Sequence, residues 1–187
     1  MIAYPDQLPF KLQALRNLTD ILREITPANG YVCDLSEFDP GDGVMTSRVH
    51  RGRAWFGQDD VLPMLSILEA VNPADVVAPP PETVPTHEAW WQLLIQGFVT
   101  DDSQNPTDPA YLLLADVRRR LAQELKRKLI GDPTERDILG MGQGINRIEN
   151  MRIGSGVVRP ADDISDKAYF WLFLDLKIVD HALDPYA

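Results

Sequence analysis

From residue 167 to 180 the chain reads KAYFWLFLDLKIVD, and its apolar positions fall at every second residue. Phe170, Leu172, Leu174, Leu176 and Ile178 form one unbroken row; Tyr169, Trp171 and Phe173 begin the other, which turns polar at Asp175 and Lys177. Side chains of a strand alternate between its two faces, and aromatic enrichment favours strand over helix. The pattern predicts a central strand, apolar along one whole face and along half of the other, in a mixed or antiparallel sheet roofed by helices over the strand's first half. Seven consecutive apolar residues, Ala168 to Leu174, are too few to cross a bilayer, which takes about 20.

Leu8, Leu12, Leu15, Leu18, Leu22 and Ile25 recur at spacings of three and four. They predict an amphipathic helix that begins near Pro9 and stops at Pro27 and Asn29-Gly30. Tyr31 to Leu35 reads as a short strand. Residues 36–60 form a long charged excursion: a turn at Asp39 to Gly43, a strand or hairpin arm from Val44 to Trp55, and a turn at Gly57 to Asp60. Leu62 to Val71 reads as a core strand. Asn72 to Thr86 holds five prolines, three of them at Pro79 to Pro81, which predicts an extended spacer outside any sheet interior.

His87 to Thr100 resumes strand character. Trp91, Leu93, Ile95 and Val99 lie on one side, Trp90, Gln92, Leu94 and Gln96 on the other, and Gly97 marks a bulge or a close approach. Asp108 with Pro109 reads as the start of a second helix. That helix runs from Pro109 to Ile130 with Tyr111, Leu114, Val117, Leu121, Leu125 and Leu129 as its buried stripe. A glycine-rich loop, Gly140 to Gly144, leads to a strand from Ile145 to Ile153, and a polar arm spans Gly154 to Asp166. Strands outnumber helices. The fold class is α+β: a mixed or antiparallel four- to five-stranded sheet with two main helices on one face, plus long loop or hairpin arms. One domain of 187 residues accommodates it, with extended loops near 36–60, 72–86 and 131–166.

Composition narrows the function. The formal charge is 18 − 28 = −10, a poor match to the phosphate backbone of DNA, so sequence-specific nucleic-acid binding is not expected. Cys33 is the single cysteine, which rules out an internal disulfide. The first ten residues lack the pattern of a signal peptide, so a reducing cytoplasm is the expected site of synthesis, with no membrane partner. His50, His87 and His181 have no metal-ligand spacing. The Gly140–Gly144 loop follows a helix and precedes a strand, the reverse of a phosphate loop. No catalytic residue, cofactor or metal is predicted.

Charge is segregated, however. Arg48, Arg51 and Arg53 cluster in the excursion, and Arg118, Arg119, Arg120, Lys126, Arg127 and Lys128 crowd the second helix. Each cluster reads either as a solvated face or as a patch complementary to an acidic surface, such as that of a neighbouring copy. Protruding arms with segregated charge suit a ring held by head-to-tail contacts.

The leucine helix ending in Asn29-Gly30-Tyr31, the Val32 to Leu35 segment, Val49 to Arg53, and Leu62 to Glu69 after the Gly57–Asp60 turn together resemble the tail terminator proteins of long-tailed (siphovirus-type) bacteriophages. The resemblance in layout spans residues 8–180, and its strongest phrases cover 8–70. It implies a homohexameric ring, assembled in the host cytoplasm and placed in the virion at the head-proximal end of the tail. Such a ring stops tube polymerisation, contacts the tail tube protein and the head–tail connector, and lets DNA through its centre. It implies binding without catalysis. Other readings are a different head–tail connector or completion protein, an acidic enzyme using Asp59 and Asp60 with a metal, and a peptide-binding module using the proline strap.

Overall fold

The computed structural model describes residues 7–54, 57, 60–69, 85–163 and 165–186. Helix α1 spans Phe10–Arg23, and a 3-10 turn follows at Pro27–Asn29. Strands β1 (Val49–Arg51), β2 (Met64–Glu69) and β3 (Thr86–Val99) come next, then α2 (Asp108–Glu124). A short hairpin of β4 (Lys128–Leu129) and β5 (Asp132–Arg136) leads through a second 3-10 turn to β6 (Arg147–Ile153), β7 (Val157–Arg159) and β8 (Ala168–His181).

Among the described residues the main sheet has six strands in the order β1-β2-β3-β8-β6, with β7 also paired to β8. Only β1 and β2 run parallel; the other pairs are antiparallel. The fold is therefore α+β with a mixed sheet and two helices, as the pattern predicts, and β7 adds a strand inside the arm read as irregular. Its spine is the β3–β8 pair, matched residue for residue from Thr86–His181 to Val99–Ala168.

Register decides the core. Trp91, Leu93, Ile95 and Val99 of β3 face the same side as Phe170, Leu172, Leu174, Leu176 and Ile178 of β8, and all are buried. Phe10, Ala14, Leu18, Ile21 and Leu22 of α1 join them, as do Ala110, Leu113, Val117 and Leu121 of α2, in one cluster. Both helices thus cover one face of the sheet. Gly97 is a close approach, with the ladder unbroken there: a Cβ at this position would sit 2.1 Å from a ring carbon of Phe170.

Several local expectations are overturned. Tyr31 to Leu35 is not a strand, because its N–H groups go elsewhere: Val32 and Cys33 donate to the Asp116 carboxylate at 2.8 Å each, and Leu35 donates to the Ile25 carbonyl. Helix α2 stops at Glu124, not Ile130. Lys126 and Arg127 donate back three residues, to the carbonyls of Gln123 and Glu124, a tightened last turn that ends the helix; the chain then reverses into β4–β5. Thr107, not Asp108, holds the N-cap position, and no side chain caps there. Tyr111 is exposed rather than part of the buried stripe. Among the described residues of the excursion only Val49–Arg51 forms a strand, with an isolated bridge between Phe38 and Thr46. The core strand starts at Met64. The proline spacer at 72–84, Trp55, and Gln58-Asp59 of the second turn lie outside the described residues.

Candidate binding surface

Two helices on one side leave the other side of β2, β3, β8 and β7 without a helix among the described residues. Alternation sends Met64, Leu94, Phe98, Tyr169, Trp171 and Phe173 there. At the Val99–Ala168 end the residues are aromatic and interlocked. Phe98 and Tyr169 stack with centroids 6.0 Å apart, and Trp171 meets Tyr169 at 5.5 Å. The Tyr169 hydroxyl donates to Asp162 Oδ2 at 2.9 Å, which satisfies a polar group at the edge of an apolar patch. A cavity of about 260 Å³ opens over this cluster, bounded by Met64, Gln96, Phe98, Tyr169 and Trp171 and by Asp60 and Lys167.

Further along, Phe173 is 49% exposed and Val157, paired with Trp171, is exposed near it, while the exposed Trp90 lies opposite Lys177 toward the other end of the strand pair. The Arg152 guanidinium lies 3.8 Å from the centre of the Trp90 ring, a cation–π contact. The Thr86–His181 end is polar. Gln92 donates to Asp175 at 3.1 Å, and Lys177 bridges Glu149 at 2.6 Å and Glu88 at 3.5 Å. The bare face thus grades from an apolar half to a charged half, as the β8 sequence predicts.

The nine basic residues singled out in the sequence do not form one patch. Arg48 donates to the Leu62 carbonyl at 3.0 Å and lies over the Phe38 ring. Arg51 reaches Thr19 Oγ1 at 3.4 Å. Arg53 grips both oxygens of Asp60, at 2.7 and 2.6 Å. Burial pushes the Asp60 carboxyl up, but the Arg53 and Gly57 hydrogen bonds and the Arg53 charge outweigh it, and its pKa falls below the usual 3.8. His50 lies beside this pair, its pKa lowered by burial and then by Arg53.

On α2, Arg120 is buried and paired at 2.8 Å with both Glu124 and Glu24. Arg119 donates to the Gly30 carbonyl at 2.8 Å and covers the Tyr31 ring. Arg118 is exposed. Lys126, Arg127 and Lys128 belong to the turn and hairpin beyond the helix, where Arg127 pairs with Asp137 at 3.2 Å and Lys128 lies 3.5 Å from the Thr134 carbonyl. Most of these cations are therefore fold determinants, and the exposed basic surface shifts to the hairpin.

Cys33 is half-buried; burial first, and then the Asp116 carboxylate, push its thiol up to about 12. Among the described residues no group of three or more His, Cys, Asp or Glu side chains is arranged to hold a metal ion, and no helix is long and apolar enough to cross a membrane. The exposed Ile130 on the hairpin was hidden in the sequence because helical spacing continues to residue 130, and Tyr111 and Leu112 in the first turns of α2 are exposed as well. Neither the protein-family models nor the curated proteins contain a match to this chain.

Proposed function

We propose that this chain is a structural, ring-forming assembly protein of the phage tail-terminator kind. A homohexameric ring of it caps the tail tube, ends polymerisation and faces the head–tail connector. The observation that carries the reading is the sheet face that carries no helix among the described residues, on which Phe173 and Val157 are exposed alongside an aromatic cavity. Contiguous exposed apolar surface on a folded domain marks a binding surface, and aromatic residues with arginine are the side chains that interfaces favour. The layout of a leucine helix, a charged excursion, and long late strands supports the particular assignment through the resemblance given above. On this reading the bare face meets protein, and the charged Thr86–His181 end sets its register.

Light scattering across a concentration series, with negative-stain images of the same fractions, tests it. The expected result is a closed ring of about six copies, formed by the chain alone or on adding tail tubes, and seated at tube ends. A ring that ignores tube ends but binds connectors would point to a head–tail connector protein instead. A monomer indifferent to both would overturn the proposal.

A further inference from the structure

Ile130 is 98% exposed and stands at the turn between β4 and β5, with Gly131 in the left-handed region (φ +94°) beside it. A branched aliphatic side chain held in water at a hairpin tip contributes nothing to the fold. The hairpin and its approach carry a small positive excess: Lys126, Arg127, Lys128 and Arg136 against Asp132, Glu135 and Asp137, with Asp137 paired to Arg127. That sign is opposite to the chain as a whole, whose formal charge is −10.

The same molecule carries a receptacle of opposite character. A groove of about 320 Å³ lies between the Val32–Asp34 segment and the first turns of α2, floored by Pro63 and Val99. Its walls are apolar and open, with Val32 64% and Leu112 48% exposed. Its acidic lining residue is Asp34, and the exposed Asp108 precedes its lining residue Pro109 in the chain. Hydrogen bonds from the Ser36 hydroxyl and N–H hold the Asp34 carboxyl below its usual range, so this charge persists at neutral pH.

Knob and groove cannot meet within one copy. The groove sits at the N-terminal end of α2 (Asp108–Glu124) and the hairpin leaves its C-terminal end; at 1.5 Å per residue roughly 20 Å of rigid helix separates them. They are also different surfaces, so pairing them joins copies head to tail. Contacts of that kind close into rings.

We infer that the β4–β5 hairpin of one copy seats Ile130 in the Val32–Leu112 groove of the next, with the hairpin's positive excess toward Asp34 and Asp108. This rests on the ring reading above and names the contact that builds the ring. The apolar anchor supplies affinity, and the charges set orientation and partner choice.

The test uses the full chain. Ile130→Asp is expected to raise the dissociation constant for assembly at least about thirtyfold while leaving the melt unchanged at dilutions where both proteins are monomeric, because Ile130 is 98% exposed in its own copy and only assembly would add stability. In a Cys33→Ser background, which removes the native thiol that lines the groove, a chain carrying both Ile130→Cys and Leu112→Cys, oxidised with copper phenanthroline, is expected to give a covalent ladder ending at the ring size. Ile130→Cys or Leu112→Cys alone should not give it. If the wild-type chain forms rings while Ile130→Asp also does, or while the double-cysteine chain gives no ladder, the hairpin contact is overturned and the ring reading stands. A wild-type chain that stays monomeric with tubes present overturns both.

Discussion

The two faces of β3 and β8 share the same backbone ladder, yet they solve different problems. On the covered face every β8 position from Phe170 to Ile178 is apolar and buried, and α1 and α2 supply the facing side chains. On the bare face the same strands present Phe98, Tyr169 and Trp171 in a small cluster of their own, then exposed Phe173, then Asp175 and Lys177 in paired contacts. One face holds the domain together, and on the function proposed above the other meets partners. Substitutions on the two faces should therefore separate stability from assembly.

The largest effect is expected on the covered face. Leu174→Ala removes a fully buried side chain and should cost about 3 kcal/mol from lost burial and an unfilled cavity, read by urea unfolding. Asp116→Ala comes next. Its carboxylate is buried and accepts the N–H groups of Val32 and Cys33, so truncation removes two part-buried hydrogen bonds to a charged acceptor and should cost about 2 kcal/mol. The same variant should make Cys33 more reactive toward iodoacetamide at pH 8, because the thiol loses the neighbouring negative charge that helps hold it at about 12. A Cys33 labelled equally fast in both proteins would contradict this.

Acid should act more gently. The folded pKa values of Asp60 and Asp34 lie below their ordinary 3.8, so their stabilisation is fully present above that value. It is lost as pH falls through the lower folded values. Melting temperatures should hold down to about pH 4 and drop below it, and Arg53→Gln should flatten the Asp60 part of that drop. The smallest effect on folding is expected on the bare face: Phe173→Ser should change unfolding stability by no more than about 0.5 kcal/mol while weakening capture of tail tubes. A Phe173→Ser protein as destabilised as Leu174→Ala would erase the distinction between the faces.

The comparison also explains what was legible in the chain. Period-two patterning named β3 and β8 and sorted their faces, because alternation is a local property that any sheet must respect. The leucine spacing of α1 was legible for the same reason. The end of α2 was not: residues 125–130 keep helical spacing, but Glu124 is drawn inward to pair with Arg120, and the chain turns back to form the hairpin. Tyr31 to Leu35 has strand composition but no neighbour to pair with, since Asp116, more than eighty residues later, takes its donors.

The sequence by itself determined the class of fold, the axial strand pair, the first helix, and which face of the sheet is apolar throughout. Each follows from periodicity and from the cost of exposing apolar side chains. Only the tertiary structure decided which charges are structural and which are on offer. A charge's role depends on what lies opposite it in space: Arg120 ends in a buried ion pair, whereas Lys126 and Lys128, a few residues on, end on an exposed hairpin beside Ile130. Sequence spacing cannot tell those fates apart, because the partners that divide them come from distant parts of the chain.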